Sequence, residues 1–120
     1  MPAGMDMSAM QTCIDQCSMC TQACTMCADQ MMGMDGMGRC AAMCSTCADV
    51  CDATMRMMMR PMGMDMGAME SMLKACIATC EACMAECRMH GDTSACGMCA
   101  DACQACADAC RTMLGTMAAA

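Results

Sequence analysis

Cys96-Gly-Met-Cys-Ala-Asp-Ala-Cys-Gln-Ala-Cys-Ala-Asp-Ala-Cys110 is the stretch that decides how this chain is read. Its cysteines, Cys96, Cys99, Cys103, Cys106 and Cys110, recur at steps of three and four residues. Such steps return to one face of an α-helix. The residues between them keep a helix regular and its outer face polar. The segment therefore predicts a helix carrying a single stripe of thiols. The rhythm recurs in Cys13, Cys17, Cys20, Cys24 and Cys27, in Cys40, Cys44, Cys47 and Cys51, and in Cys76, Cys80, Cys83 and Cys87. Four helices follow, each with a face of sulfur.

The helices are expected over residues 8–30, 38–60, 66–90 and 93–117. Three glycines interrupt residues 33–38, and glycine disfavours helix. Pro61 ends what precedes it. Gly91 suits a helix C′ position, and Asp92, Thr93 or Ser94 suits the next N-cap. The chain also repeats itself. Residues 2–10 resemble residues 61–69, and Cys40, Cys44, Cys47 and Cys51 lie 59 positions before Cys99, Cys103, Cys106 and Cys110. Two helical hairpins, 8–60 and 66–117, with short connections predict an all-α, up-and-down antiparallel four-helix bundle, a single domain over 1–120.

Composition sets the core. The 120 residues include no aromatic side chain, and Ile14, Val50, Leu73, Ile77 and Leu114 are the only branched aliphatics. Eighteen Cys and 25 Met must fill the interior with Ala. The net charge of −7 argues against nucleic acid, which needs a basic surface, and against an anionic membrane. No apolar run approaches the length of a membrane span. The N-terminus lacks the basic and apolar segments of a signal peptide, so the expected location is cytoplasmic, with an exported form lacking its presequence as the alternative. A disulfide scaffold is disfavoured, because such scaffolds are loop-rich and irregularly spaced, and bridging along one helix strains the S–S geometry.

Inward-facing stripes would make a column of thiols roughly 20 Å long at 1.5 Å per residue. Cysteines four apart, such as Cys13/Cys17 or Cys106/Cys110, can turn toward one small ion. Soft thiolates select Cu(I), zinc or iron–sulfur clusters. Zinc and iron–sulfur sites each want a discrete set of four ligands. Cu(I) accepts two or three sulfurs, and thiolates bridge neighbouring ions, so it alone suits a continuous column. Replacing each thiol proton by one Cu(I) leaves the net charge unchanged and avoids burying a large anion. The expected cargo is many Cu(I) ions per chain, approaching the cysteine count. The function read from this is Cu(I) storage and buffering. The alternatives are metallothionein-like detoxification of zinc or cadmium, and a copper chaperone with an unknown donor or acceptor.

Beyond the cysteines the same step reaches Met10, Met31 and Met34 on helix 1, Met37, Met55 and Met58 on helix 2, Met66, Met69 and His90 on helix 3, and Met113 and Met117 on helix 4. Thioethers hold Cu(I) without a proton to lose. An up-and-down bundle gathers Cys27, Met31, Met34, Met37, His90 and Cys96 at one end, the expected copper mouth. Met10, Met55, Met58, Met66, Met69, Met113 and Met117 gather at the other, as a lid or auxiliary site.

Plainer roles stand beside these. Met fills core gaps readily, and Met19, Met26, Met43 and Met84 read as flank packing. His90 near a helix C-terminus complements the dipole. Asp15, Asp29, Asp49, Asp52, Glu81, Glu86, Asp101 and Asp108 read as a solvated face. An enzyme is disfavoured: a catalytic thiol needs an activating base, there is one His, and Cys-x-x-Cys pairs such as Cys17/Cys20 lie in no strand pattern.

In spacing and filler residues, Cys96 to Cys110 resembles the last helix of the bacterial copper storage proteins, cysteine-rich four-helix bundles. Met31, Met34 and Met37 between Cys27 and Cys40 resemble that family's methionine-bearing opening. The resemblance covers all four cysteine clusters. It implies Cu(I) storage by thiolates inside the bundle, a mouth at the end named above and a homotetramer. Members are both exported and cytosolic. The methionines of residues 5–10 and 55–72 exceed the family pattern.

Overall fold

The structure, a computed structural model, describes residues 6–91 and 94–118. It comprises α1 (Met7–Met31), α2 (Gly38–Met58), α3 (Met66–Arg88) and α4 (Ser94–Ala118), with no strand among the described residues. α1 packs on α2 and α4, and α3 packs on α2 and α4, closing a four-membered ring of helices. The sulfur contacts fix the directions. From Cys13 to Cys17 to Cys24 along α1, the facing partners run back from Cys110 to Cys106 to Cys99 along α4. Likewise Cys44 faces Cys87 and Cys51 faces Cys76, so α2 and α3 are antiparallel.

Local chemistry explains the boundaries. Asp6 and Asp65 cap α1 and α3: each side chain accepts a bond from the N–H three residues on, at 2.9 Å from Ala9 and 2.8 Å from Ala68. These aspartates occupy matching places in the internal repeat, and such a cap is worth about 1 kcal/mol. α2 stops at Met58, two residues short of the sequence expectation, because the residue before Pro61 is biased away from helical backbone. Gly63 then turns the chain at φ +73°, a conformation glycine adopts without steric cost. α3 stops at Arg88 and leaves His90 in a turn closed by Gly91 at φ +82°, as expected of a C′ glycine. α4 begins at Ser94. The caps expected at Asp92 or Thr93, and the first residues of the repeat, lie outside the described residues.

The core is sulfur flanked by methyl groups. All eighteen cysteines are buried as free thiols. Ala28, Ala41, Ala48, Ala100 and Ala107 are buried beside them, and these small side chains let helices approach closely around the short thiols. The largest fully buried side chains gather at one end, where Met58, Met69, Leu73 and Met113 pack with Thr54. The Thr54 hydroxyl donates to the Val50 carbonyl at 2.8 Å and so brings no unpaired polar atom inside. Two expectations fail. Met19 and Met26 are exposed, not packed, because they point off the stripe toward solvent in a shallow groove with Met98. Glu86 is not on the solvated face: it is only 8% exposed, drawn in by two partners described below.

Candidate metal centre

Each helix delivers its thiols to the axis at a step of three or four, and antiparallel neighbours interleave them. Sulfur–sulfur contacts between helices include Cys17–Cys106 at 3.6 Å, Cys24–Cys99 at 3.5 Å, Cys44–Cys87 at 3.7 Å and Cys51–Cys80 at 3.6 Å. Within helices, Cys20 meets Cys24 and Cys47 meets Cys51, both at 3.8 Å. The i,i+4 pair expected from spacing is thus one contact among many. The larger unit is a group of four sulfurs drawn from several helices.

Such groups run along the axis, each with its Sγ atoms within 4.8 Å of one another. They include Cys17/Cys76/Cys106/Cys110, Cys20/Cys51/Cys80/Cys106, Cys20/Cys24/Cys47/Cys103, Cys24/Cys83/Cys99/Cys103 and Cys27/Cys44/Cys87/Cys99. Cys20, Cys24, Cys99, Cys103 and Cys106 each belong to two groups. One group alone has the donor set of a tetrahedral zinc site. Shared membership makes the series a poor set of separate zinc sites, since a sulfur in two groups cannot close both. It favours small, soft ions of low coordination number with bridging thiolates.

Protonation follows from crowding. Burial pushes the Cys27 thiol up to about 12 and raises that of Cys40. Hydrogen bonding with Cys20, Cys24, Cys47 and Cys80 pushes the Cys103 thiol up, while the same contact with Cys103 lowers those of Cys20 and Cys83. A proton shared by two sulfurs belongs to one of them, so neighbours cannot all be thiolate in a dry core. An incoming cation relieves that constraint by replacing the proton.

At the end formed by the α1–α2 and α3–α4 connections, Met31 is buried, Met37 half-buried against the core and His90 half-buried. Cys96 and Cys40 are buried there too. Met34, expected on the stripe, is 52% exposed, because α1 ends at Met31 and helical spacing ends with it. Glu86 Oε1 accepts from Arg39 Nε at 2.9 Å, and Oε2 lies 2.8 Å from His90 Nε2. Hydrogen bonding with His90 and then, against the cost of burial, with Arg39 holds the Glu86 carboxyl below the usual carboxylate range. Sequence reasoning missed this trio; its signal was the spacing of four between Glu86 and His90 at the end of α3.

At the opposite end Met10, Met58, Met69 and Met113 are buried, one from each helix, while Met55, Met66 and Met117 are half-buried. Thr54 and Leu73 interrupt the sulfur stripes of α2 and α3 on this side. Met66 and Met117 line a cavity of about 340 Å³ beside the Glu70–Lys74 ion pair.

A ring of four helices around shared, dry thiols defines a class: a bundle that stores soft metal ions in multinuclear form. The profile of the Csp copper storage protein family matches residues 6–115, and the chain belongs to that family. It is 38% identical to a histidine-to-alanine variant of Streptomyces lividans Ccsp, over 96% of this chain and 99% of that one, with a TM-score of 0.91. The S. lividans Ccsp loaded with 10 copper equivalents is also 38% identical, over 95% of this chain and 89% of that one, with a TM-score of 0.91. A five-copper structure of the same organism's cytosolic copper storage protein covers 90% of this chain and 93% of its own, at 38% identity and a TM-score of 0.86. Curated protein sequences hold no match.

Proposed function

We propose that this chain stores and buffers Cu(I) on the thiolates of its eighteen cysteines, with no catalytic turnover. The observation that carries the reading is the shared membership of Cys20, Cys24, Cys99, Cys103 and Cys106 between neighbouring four-sulfur groups. Bridging lets each ion use two or three sulfurs while each thiolate serves more than one ion. The relatives loaded with five and ten coppers support a capacity of many ions.

Copper enters and leaves at the end bearing Met31, Met34, Met37 and His90, where the ligands weaken from thiolate to thioether and imidazole. The exposed Met34 makes first contact, and Met31 and His90 pass the ion to Cys27, Cys40, Cys87 and Cys96. At the other end Met10, Met58, Met69 and Met113 close the column, with Met55, Met66 and Met117 as auxiliary thioethers around them. Residues 1–120 act as one domain, because every stripe depends on the other three to exclude water. The resemblance to the family supports a homotetramer. The cytosolic relative supports a cytoplasmic location, and no described helix is long and apolar enough to cross a membrane.

An anaerobic Cu(I) titration of the reduced protein against a competing chelator tests the storage role. Saturation at one or two ions would overturn it. The mouth is tested by His90→Ala combined with Met31, Met34 and Met37→Leu: loading should slow while final capacity is retained, and an unaltered rate would remove the assignment.

A further inference from the structure

Glu86 is the one charged side chain buried among the described residues. Burying a carboxylate is costly unless its oxygens are paired, and here they are. Oε1 accepts from Arg39 Nε across the α2–α3 boundary, and Oε2 meets His90 Nε2 in the turn just past the end of α3. Arg39 immediately precedes Cys40, and Glu86 immediately precedes Cys87. The trio therefore brackets the rim of the thiol column.

The geometry settles which ring nitrogen is free. An ionised carboxylate only accepts hydrogen bonds, so the nitrogen facing it carries a proton. In the neutral imidazole that leaves Nδ1 as the single lone pair. A carboxylate behind a ligand histidine also fixes the ring's orientation and makes it a better donor. His90 lies three residues beyond Cys87, half-buried in the turn that follows α3. We propose that Glu86, braced by Arg39, is a positioning residue that holds His90 as an Nδ1 donor to incoming Cu(I) and so sets the rate of entry. This rests on the reading of the His90 end as the mouth. Glu86 itself is not assigned as a ligand, because a hard carboxylate oxygen suits soft Cu(I) poorly.

The experiment compares wild type, Glu86→Gln, His90→Ala and the double variant, all reduced and full length. Long-range ¹H–¹⁵N NMR of the apo His90 ring should show Nε2–H and an unprotonated Nδ1 in wild type, and mixed tautomers in Glu86→Gln. Stopped-flow transfer of the first equivalents from a Cu(I)–chelator complex should be about tenfold slower in Glu86→Gln, the usual size of an outer-partner effect. The double variant should load no more slowly than His90→Ala. A wild-type ring protonated at Nδ1 would overturn the proposal whatever the kinetics. So would a Glu86→Gln defect that persists in full in the His90→Ala background, which would mark a structural brace. If His90→Ala is slow but Glu86→Gln is not, the positioning role alone fails. If His90→Ala loads at the wild-type rate, the mouth reading fails with it. Equal final copper capacity and circular dichroism across the set establish that all four proteins fold.

Discussion

Cys24 Sγ lies 3.5 Å from Cys99 Sγ, linking α1 to α4, and each of these sulfurs is common to two adjoining four-sulfur groups. Neither can be removed without touching both groups. Cys24→Ser or Cys99→Ser should lower Cu(I) capacity by about one ion, matching the lost thiolate charge, and should weaken the ions on either side. Chelator-competition isotherms check this, with exposed Met19→Leu as a control of unchanged capacity.

Zinc should fill the same column poorly. A tetrahedral zinc takes four thiolates to itself, so occupancy should stop at about four ions among eighteen cysteines. Cu(I) should displace all of them. Direct metal analysis after gel filtration reads both numbers. Zinc binding at the copper stoichiometry would favour the metallothionein-like reading.

Copper affinity should fall with pH. Burial holds the Cys27 thiol up at about 12, so near neutrality it enters the reaction protonated and releases a proton as the metal binds. The protonated form therefore competes with copper, and acidification favours release. A step releasing one proton should weaken about tenfold for each pH unit lost. Competition titrations at two pH values, with proton release followed in weakly buffered solution, give the slope and the count. A flat profile would mean thiolates already formed in the apo column.

The closed end should separate packing from ligation. Met58, Met69 and Met113 are fully buried. Replacing any one by Ala should cost about 2–5 kcal/mol of apo stability, read by urea unfolding. Replacing all three by Leu keeps the volume and should cost under about 1.5 kcal/mol per site, while abolishing the weakest copper equivalents if those are held by thioethers. Retention of every equivalent would leave these methionines with packing alone.

The four helices, their order and the inward thiols were legible because a step of three and four leaves no second placement for a face of cysteines. The caps at Asp6 and Asp65 were written twice, once in each half of the repeat, yet capping depends on where the helix starts, which a stripe fixes only to within a turn. Glu86 was illegible for a different reason. Acidic residues between cysteines are usually solvated, and only the reach of Arg39 from another helix and of His90 from the next turn draws this one inside. Met34 misled because the stripe was continued past the last helical residue. Among i,i+4 thiols Cys20 meets Cys24 and Cys47 meets Cys51, but most sulfur contacts join groups built across helices, which follow from the register between helices and not from spacing along one.

On the reading that copper enters at the His90 end, the buried Thr54, Met58, Met69, Leu73 and Met113 opposite it give the column a history. A tube blind at one end, filled in single file, surrenders its newest occupant first. Copper taken up early would lie deepest and leave last, so position along the axis records order of arrival. Loading with ⁶³Cu followed by ⁶⁵Cu, then drawing ions off with a chelator, would show whether the isotopes return in reverse sequence or have mixed by hopping between shared sulfurs.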